Sequence, residues 1–412
     1  MANHQNWLTI IFISLCFNVF AQKSDNRLTI GVIDSVYSPT LKEIRKIWVY
    51  VPEKNGSGAN AEHRFPVVYL LDGNAHFYSV AAMIQQLSEV NKNAVCPDMV
   101  VVGILNTDRT RDMTPTHGAA SYYFNADAIK TAGGAENFTT FIQKELMPYV
   151  EAHYPVSSYR TLIGHSFAGL FVMNTLIKHP DLFSAYVAID PSLWWDNQII
   201  LKQAELTLEQ NKLIDKSLFF AVAHTMEPSM DTAHVVYDTT GATLHMRSNL
   251  LFTKYLMGRS NNGLRKSWKY YDNDNHFSVP LIAEYDALHF LFDYYPFSEG
   301  SFDQLTADVM AQHYETISEK IGYIILPPEA LINDQGYVWL QRKVFDKAYF
   351  YFKLNIDNYP NNANEYDSMG DLYIAKGDNK KAIEYLTKAL ACKDVTLETK
   401  QKLEKLRAMK VN

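Results

Sequence analysis

Cysteine is scarce: three residues in a chain of 412. Cys16 falls in an apolar N-terminal stretch. That leaves Cys96 and Cys392, which lie in different predicted domains and suggest no disulfide framework. No cysteine–histidine spacing has the pattern of a zinc site. Long apolar runs are also missing. The most apolar stretch, Trp7 to Ala21, is shorter than the roughly 20 residues a membrane helix needs. Charge of one sign is not in excess. Lys and Arg number 38 against 45 Asp and Glu, a net charge of −7, which gives no reason to expect nucleic acid or an anionic membrane as partner. Hydrophobic residues at 47% and charged residues at 20% describe a globular chain, not a disordered one.

The apolar run ends in small Ala21 followed by Gln22, so residues 1–21 read as an export signal, removed to leave a periplasmic or secreted protein with no membrane span. Leu15 is too large to precede a lipidated cysteine at position 16. The length suggests two domains, residues 22–298 and 299–412. In the first, short apolar runs alternate with helical patterns: Ile47–Val51, Val67–Leu71, Met99–Leu105, Thr161–Ile163, Ala185–Ile189, Leu218–Val222 and Trp268–Tyr271. Most lack polar alternation, as strands covered on both faces do. Strands alternating with helices imply an α/β fold with a mostly parallel sheet.

The C-terminal region repeats with a period of 34. Gly336 matches Gly370, Trp339 matches Tyr373, Ala348 matches Ala382, and Phe352 matches Leu386. These offsets resemble the tetratricopeptide repeat, two helices per copy with small residues where the helices touch. Two copies are fewer than an isolated array needs, and a helix around 302–320 is expected to add a layer. Such a region could hold a protein partner.

The stretch Thr161-Leu-Ile-Gly-His-Ser-Phe-Ala-Gly-Leu170 follows a predicted strand and opens a helix. A nucleophilic serine must project from a sharp turn, with small residues two before and two after it. Gly164 and Ala168 meet that need around Ser166. The base is expected after the last strand, in Tyr271-Asp-Asn-Asp-Asn-His-Phe-Ser278, at His276. The same stretch mimics a calcium loop through Asp272 and Asp274. It lacks the required Gly, and Ala283 stands where a Glu is needed. The chain order serine, acid, histidine places the acid after Leu218–Val222, where Asp231 is preferred, Glu227 is second, and Asp238 also qualifies. Two backbone N–H groups should hold the oxyanion: Phe167, and Gly73 or Asn74 in the loop after Tyr69-Leu-Leu-Asp72.

Together Pro66-Val-Val-Tyr-Leu-Leu-Asp-Gly73, Arg109-Thr-Arg-Asp-Met-Thr-Pro115, Gly164-His-Ser166, Pro191-Ser-Leu-Trp-Trp195 and Asn275-His-Phe-Ser278 resemble the esterase D family of α/β-hydrolases, which includes enterochelin, feruloyl and acetyl-xylan esterases. The resemblance spans roughly residues 28–295, with Ala168 where the family usually has Gly. It implies an α/β-hydrolase fold and a serine esterase working through an acyl-enzyme, without metal or cofactor. It implies further that Trp194 and Trp195 line the substrate pocket, and Arg109 and Arg111 are expected to brace the loop by ion pairs. Siderophore, carbohydrate and simple acyl esters all stay open as substrates. So do two alternatives: transfer of the acyl group to an alcohol, and a non-catalytic interaction protein built around the repeats.

Overall fold

The apolar runs assemble into one eight-stranded sheet in the computed structural model, which describes residues 28–52, 64–88, 95–118, 121–210, 212–227, 230–258, 262–297 and 306–409. The expected export signal and the domain boundary at 298/299 lie outside those residues. The strands are β1 (Val32–Ser38), β2 (Glu43–Tyr50), β3 (Phe65–Leu70), β4 (Val100–Ile104), β5 (Val156–His165), β6 (Ala185–Ile189), β7 (Ser217–Ala223) and β8 (Arg265–Tyr271). Their order across the sheet is β1-β2-β4-β3-β5-β6-β7-β8. The first two pairings are antiparallel and all others parallel.

Helices cover both faces: α1 (Gly73–Ser88), α2 (Arg109–Met113), α3 (Ala135–Phe141), α4 (Met147–His153), α5 (Phe167–Lys178), α6 (Trp195–Gln210), α7 (Thr232–Val235), α8 (Leu244–Gly258) and α9 (Val279–Leu291). Alternate strand residues feed the two cores. Val67, Tyr69, Leu162 and Tyr186 pack with α3, α5 and α8 on one face. Val68, Leu70, Ile163 and Val187 pack with α1 and α9 on the other. This two-sided burial is why β3 and β6 read as unbroken apolar runs. Strand β1 was not anticipated. It is an edge strand with exposed Val32 and Ile33 beside Asp34 and Ser35, so it carries no apolar run.

Arg45 on β2 is wholly buried and pairs with Asp112 at 2.6 Å and Glu43 at 2.9 Å. Arg111 pairs with the same two carboxylates at 2.7 Å each. The bracing expected of Arg111 is thus met through ion pairs that fix α2 against β2.

Beyond the sheet follow α10 (Ala307–Ile321), α11 (Glu329–Gln341), α12 (Phe345–Asn358), α13 (Ala363–Ala375), α14 (Asn379–Ala389) and α15 (Leu397–Met409). The repeat has a packing cause. A Cβ on Gly336 would sit 2.3 Å from the Phe352 ring, and one on Gly370 would sit 2.9 Å from Leu386. The same small residue therefore lets α11 meet α12 and α13 meet α14. Helix α10 adds a layer against α12, and α15 one against α14. Helix α10 also docks on the sheet domain. Its His313 stacks on Phe297 at 4.0 Å and bonds the Tyr295 carbonyl at 3.0 Å, and Met310, Tyr314 and Ile317 join the core that holds Tyr159 and Phe292.

Candidate active site

Three site residues stand at the C-terminal ends of neighbouring strands, each with a left-handed backbone: Asp72 after β3 (φ 52°), Ser166 after β5 (φ 61°) and Asp190 after β6 (φ 38°). For non-glycine residues this conformation costs on the order of 1–3 kcal/mol each, and it persists only where the surroundings enforce it. At Ser166 they do. Its N–H donates to Ile189 O at 3.0 Å, and its own carbonyl accepts from Leu170 and Ser192 at 2.9 and 3.1 Å. Helix α5 begins at the next residue and is buried from Phe167 to Ile177. The turn closes tightly: a Cβ on Gly164 would lie 2.5 Å from the Ala168 carbonyl oxygen. The methyl of Ala168 fits where the usual pattern has glycine, because Gly164 supplies the space.

His276 sits in the loop after β8. Asn275 holds that loop by accepting from the N–H groups of Phe277 and Ser278 at 2.9 and 3.2 Å, while the Ser278 hydroxyl donates to Asp274 at 2.9 Å. The imidazole Nε2 lies 3.1 Å from Ser166 Oγ. Its Nδ1 lies 2.6 Å from Oδ2 of Asp190.

Asp190 therefore occupies the place expected for Asp231 or Glu227. Both of those lie after β7 and are exposed. Asp231 caps α7 instead, accepting from the His234 N–H at 2.8 Å and lying 2.7 Å from the His234 ring. Asp238 closes a local turn through Thr240. The chain order of serine, acid and histidine still holds with Asp190, one strand earlier than anticipated. The signal was a single acidic residue ending the apolar strand Ala185–Ile189, next to the serine strand.

Asp190 has no exposed surface. Burial alone would raise its pKa, but hydrogen bonds and charge from His245 and His276 hold it well below the usual carboxylate range. It accepts four hydrogen bonds. Oδ1 takes the Ala223 N–H and the Asn249 amide, each at 3.1 Å. Oδ2 takes His276 and also His245, at 2.9 Å. Asp190, His245 and His276 also group their polar atoms within 4.8 Å. Both imidazoles point at one carboxylate oxygen, an arrangement of donors around an acceptor rather than of ligands around an ion.

The loop before α1 is braced by Arg109. Its guanidinium grips Asp72 through two bonds of 2.7 and 2.8 Å and donates to the His165 carbonyl at 3.1 Å. The loop before α1 is thereby tied to the residue before Ser166. Gly73 and Asn74 open α1 and Phe167 opens α5, positions whose N–H groups have no partner within their own helix. Gly73 is required by crowding: a Cβ there would lie 2.6 Å from the Gly103 carbonyl carbon. Trp194 and Trp195, expected to line a pocket, are 5% and 2% exposed. They pack into an aromatic cluster with Tyr123, Phe124 and Phe167, and Trp195 Nε1 donates to Thr116 at 3.2 Å. They pack behind Phe167, the residue after Ser166.

A hydroxyl facing an imidazole that is itself oriented by a buried carboxylate can lose its proton as it attacks an electrophilic carbon. Comparison with known proteins points to the same chemistry. The family described as "Putative esterase" matches residues 38–234. The ferri-bacillibactin esterase BesA of Bacillus subtilis is 34% identical over 166 residues, covering 37% of this chain and 57% of its own length. The chain spans about half the length of the curated relatives it matches. The solved structure of an IroE-like serine hydrolase from Shewanella oneidensis is 30% identical, covers 79% of this chain and 98% of its own, and superposes with a TM-score of 0.66. An uncharacterised protein from Capnocytophaga ochracea shares the fold across 92% of this chain and 99% of its own, at 18% identity and a TM-score of 0.60.

Proposed function

Because the chain belongs to the enterochelin esterase-like family of α/β-hydrolases, we propose that it is a serine esterase and that its substrate is a siderophore ester. One observation carries the enzymatic reading: the unbroken line from Ser166 Oγ through His276 to buried Asp190, at 3.1 and 2.6 Å. In this mechanism His276 takes the Ser166 proton as Oγ attacks the ester carbonyl. The N–H groups of Phe167 and of Gly73 or Asn74 receive the oxyanion. The imidazolium then protonates the leaving alkoxide, and the acyl group stays on Oγ. Water, deprotonated by the same His276, releases the acid and restores the hydroxyl. Asp190 keeps the Nδ1 proton in place and stabilises the imidazolium without taking the proton itself.

The siderophore reading is supported by the relatives, whose names include ferri-bacillibactin and enterobactin esterases. Export through residues 1–21 would bring the enzyme to such a substrate outside the cytoplasm. Residues 299–412 form the second unit of the proposal, a partner-binding region whose groove of about 260 Å³ is lined by Tyr337, Asn364, Asp367, Asp371 and Lys402.

A fluorophosphonate probe should label Ser166, and a panel of catecholate siderophores, feruloylated sugars and aryl esters should rank the siderophores first. Ser166→Ala should lower kcat by about 10⁶, the loss typical of a triad nucleophile. A tenth of wild-type turnover surviving in that variant would remove the assignment, and a flat ranking would remove the siderophore.

A further inference from the structure

Two histidines, not one, donate to the carboxylate behind the base. His245 lies in the first turn of α8 and is 7% exposed. Its Nε2 reaches Asp190 Oδ2 at 2.9 Å, the same oxygen that His276 Nδ1 meets at 2.6 Å. The two rings stand edge to face, 5.2 Å apart. One helical turn on, Asn249 donates to the other carboxylate oxygen at 3.1 Å. Helix α8 thus presents a histidine and an asparagine, four residues apart on one face, to a single buried acid. Its start is fixed as well, because the His245 N–H donates to the Tyr123 hydroxyl at 3.1 Å.

From this geometry we infer that His245 is a positioning residue that sets the basicity of His276 by sharing Asp190 Oδ2 with it. The inference rests on the triad reading above. A carboxylate oxygen that accepts two hydrogen bonds spreads its negative charge over both donors. Less of that charge is then available to stabilise the imidazolium of His276. Without His245 the whole of Oδ2 would face His276, and His276 would hold its proton to higher pH. Among the described residues the groups facing this cluster are few. Asp190 comes from the end of β6, His165 from β5, Tyr123 from the loop before α3, Asn249 from α8, and Ala223 contributes only a backbone N–H. Burial, with the adjacent His276, brings His165 down to about 3, so it stays neutral across the working range. His245 is therefore the tuning group.

The test is the pH dependence of fluorophosphonate labelling in the full chain, which needs no knowledge of the natural ester. A first-order labelling rate reports only folded molecules, so a partly misfolding variant still gives a valid profile. His245→Leu removes the donor, while His245→Gln keeps a neutral amide donor near the Nε2 position. The rising limb of the rate should move upward by at least about half a pH unit in His245→Leu. The plateau should fall about tenfold as Asp190 loses a holder, and His245→Gln should restore both. A wild-type limb in His245→Leu, whatever its thermal stability, overturns the inference while Ser166 still labels. A limb that His245→Gln fails to restore overturns the donor account. Labelling that survives Ser166→Ala would instead overturn the triad reading beneath it.

Discussion

Two aspartates, one directly after β6 and one capping α7 beyond β7, each lie about 2.7 Å from an imidazole. After β6, Asp190 meets His276 at 2.6 Å with no exposed surface. After β7, Asp231 meets His234 at 2.7 Å, but both side chains are mostly in water. In distance the pairs are nearly equal. They differ in what surrounds them. Asp190 is held by a backbone N–H, an amide and a second histidine in a medium that screens little, so its geometry is fixed before any substrate arrives. Asp231 lies open to solvent and serves as a helix cap. A carboxylate orients a catalytic imidazole only when its own bonds leave it one place to be.

The comparison breaks if the wrong aspartate matters. Asp190→Asn should have the largest effect, lowering kcat on an aryl ester by about 10⁴, because an amide can stabilise the wrong imidazole tautomer. Steady-state kinetics at saturating ester would check it, and a loss below tenfold would return the acid to the loop after β7. Next comes Arg109→Ala. It leaves Asp72 buried without its cation and frees the loop that carries Gly73, so kcat should fall by about 10- to 100-fold. The Michaelis constant should change less if, as proposed, the loop serves the oxyanion.

Glu284 sharpens the contrast from the other side. It is as buried as Asp190 but faces His76, itself pulled down by burial, and Ser79. Burial pushes it up to about 8. Its folded pKa therefore lies above its unfolded one. Its share of stability is whole below about pH 4.5 and is lost as pH rises through about 8. Melting temperature should fall across that window, and Glu284→Gln should flatten the fall. Some slope should remain from Glu365, which burial and the neighbouring Glu329 push up to about 9. An unchanged slope in Glu284→Gln would mean that Glu284 ionises freely in the folded protein. The smallest effect belongs to Asp231→Asn and Glu227→Gln, which should keep kcat within about twofold, as surface changes away from a site do.

The sheet was legible in sequence because β3, β4, β6 and β7 are covered on both faces and so lack polar alternation. Ser166 was legible because its turn demands Gly164 before it and a small residue after it. His276 was legible from its loop. Asp190 was not, because a lone acid after an apolar strand looks the same whether it faces water or a histidine 86 residues further along. Only the parallel register of β6, β7 and β8 brings it behind His276. The burial of the tryptophans was hidden for a related reason. Adjacent Trp194 and Trp195 follow a functional turn, yet the cluster around Phe167 encloses them. The period of 34 in the tail was legible, and its glycines mark the same helix crossings in both copies. The docking of α10 was not, since its apolar face could have met any surface.

That docking fixes which way the molecule faces. Helix α10 ends at Gly322 against Ser158, near the start of β5, while Ser166 stands just past the other end of the same strand. Eight residues of extended chain separate them by about 25 Å. Helix α10 is therefore fastened at the end of β5 opposite the one that carries Ser166. The first helix after the sheet domain thus meets it about a full strand's length from the serine, so its packing does not cover the Ser166 end of β5.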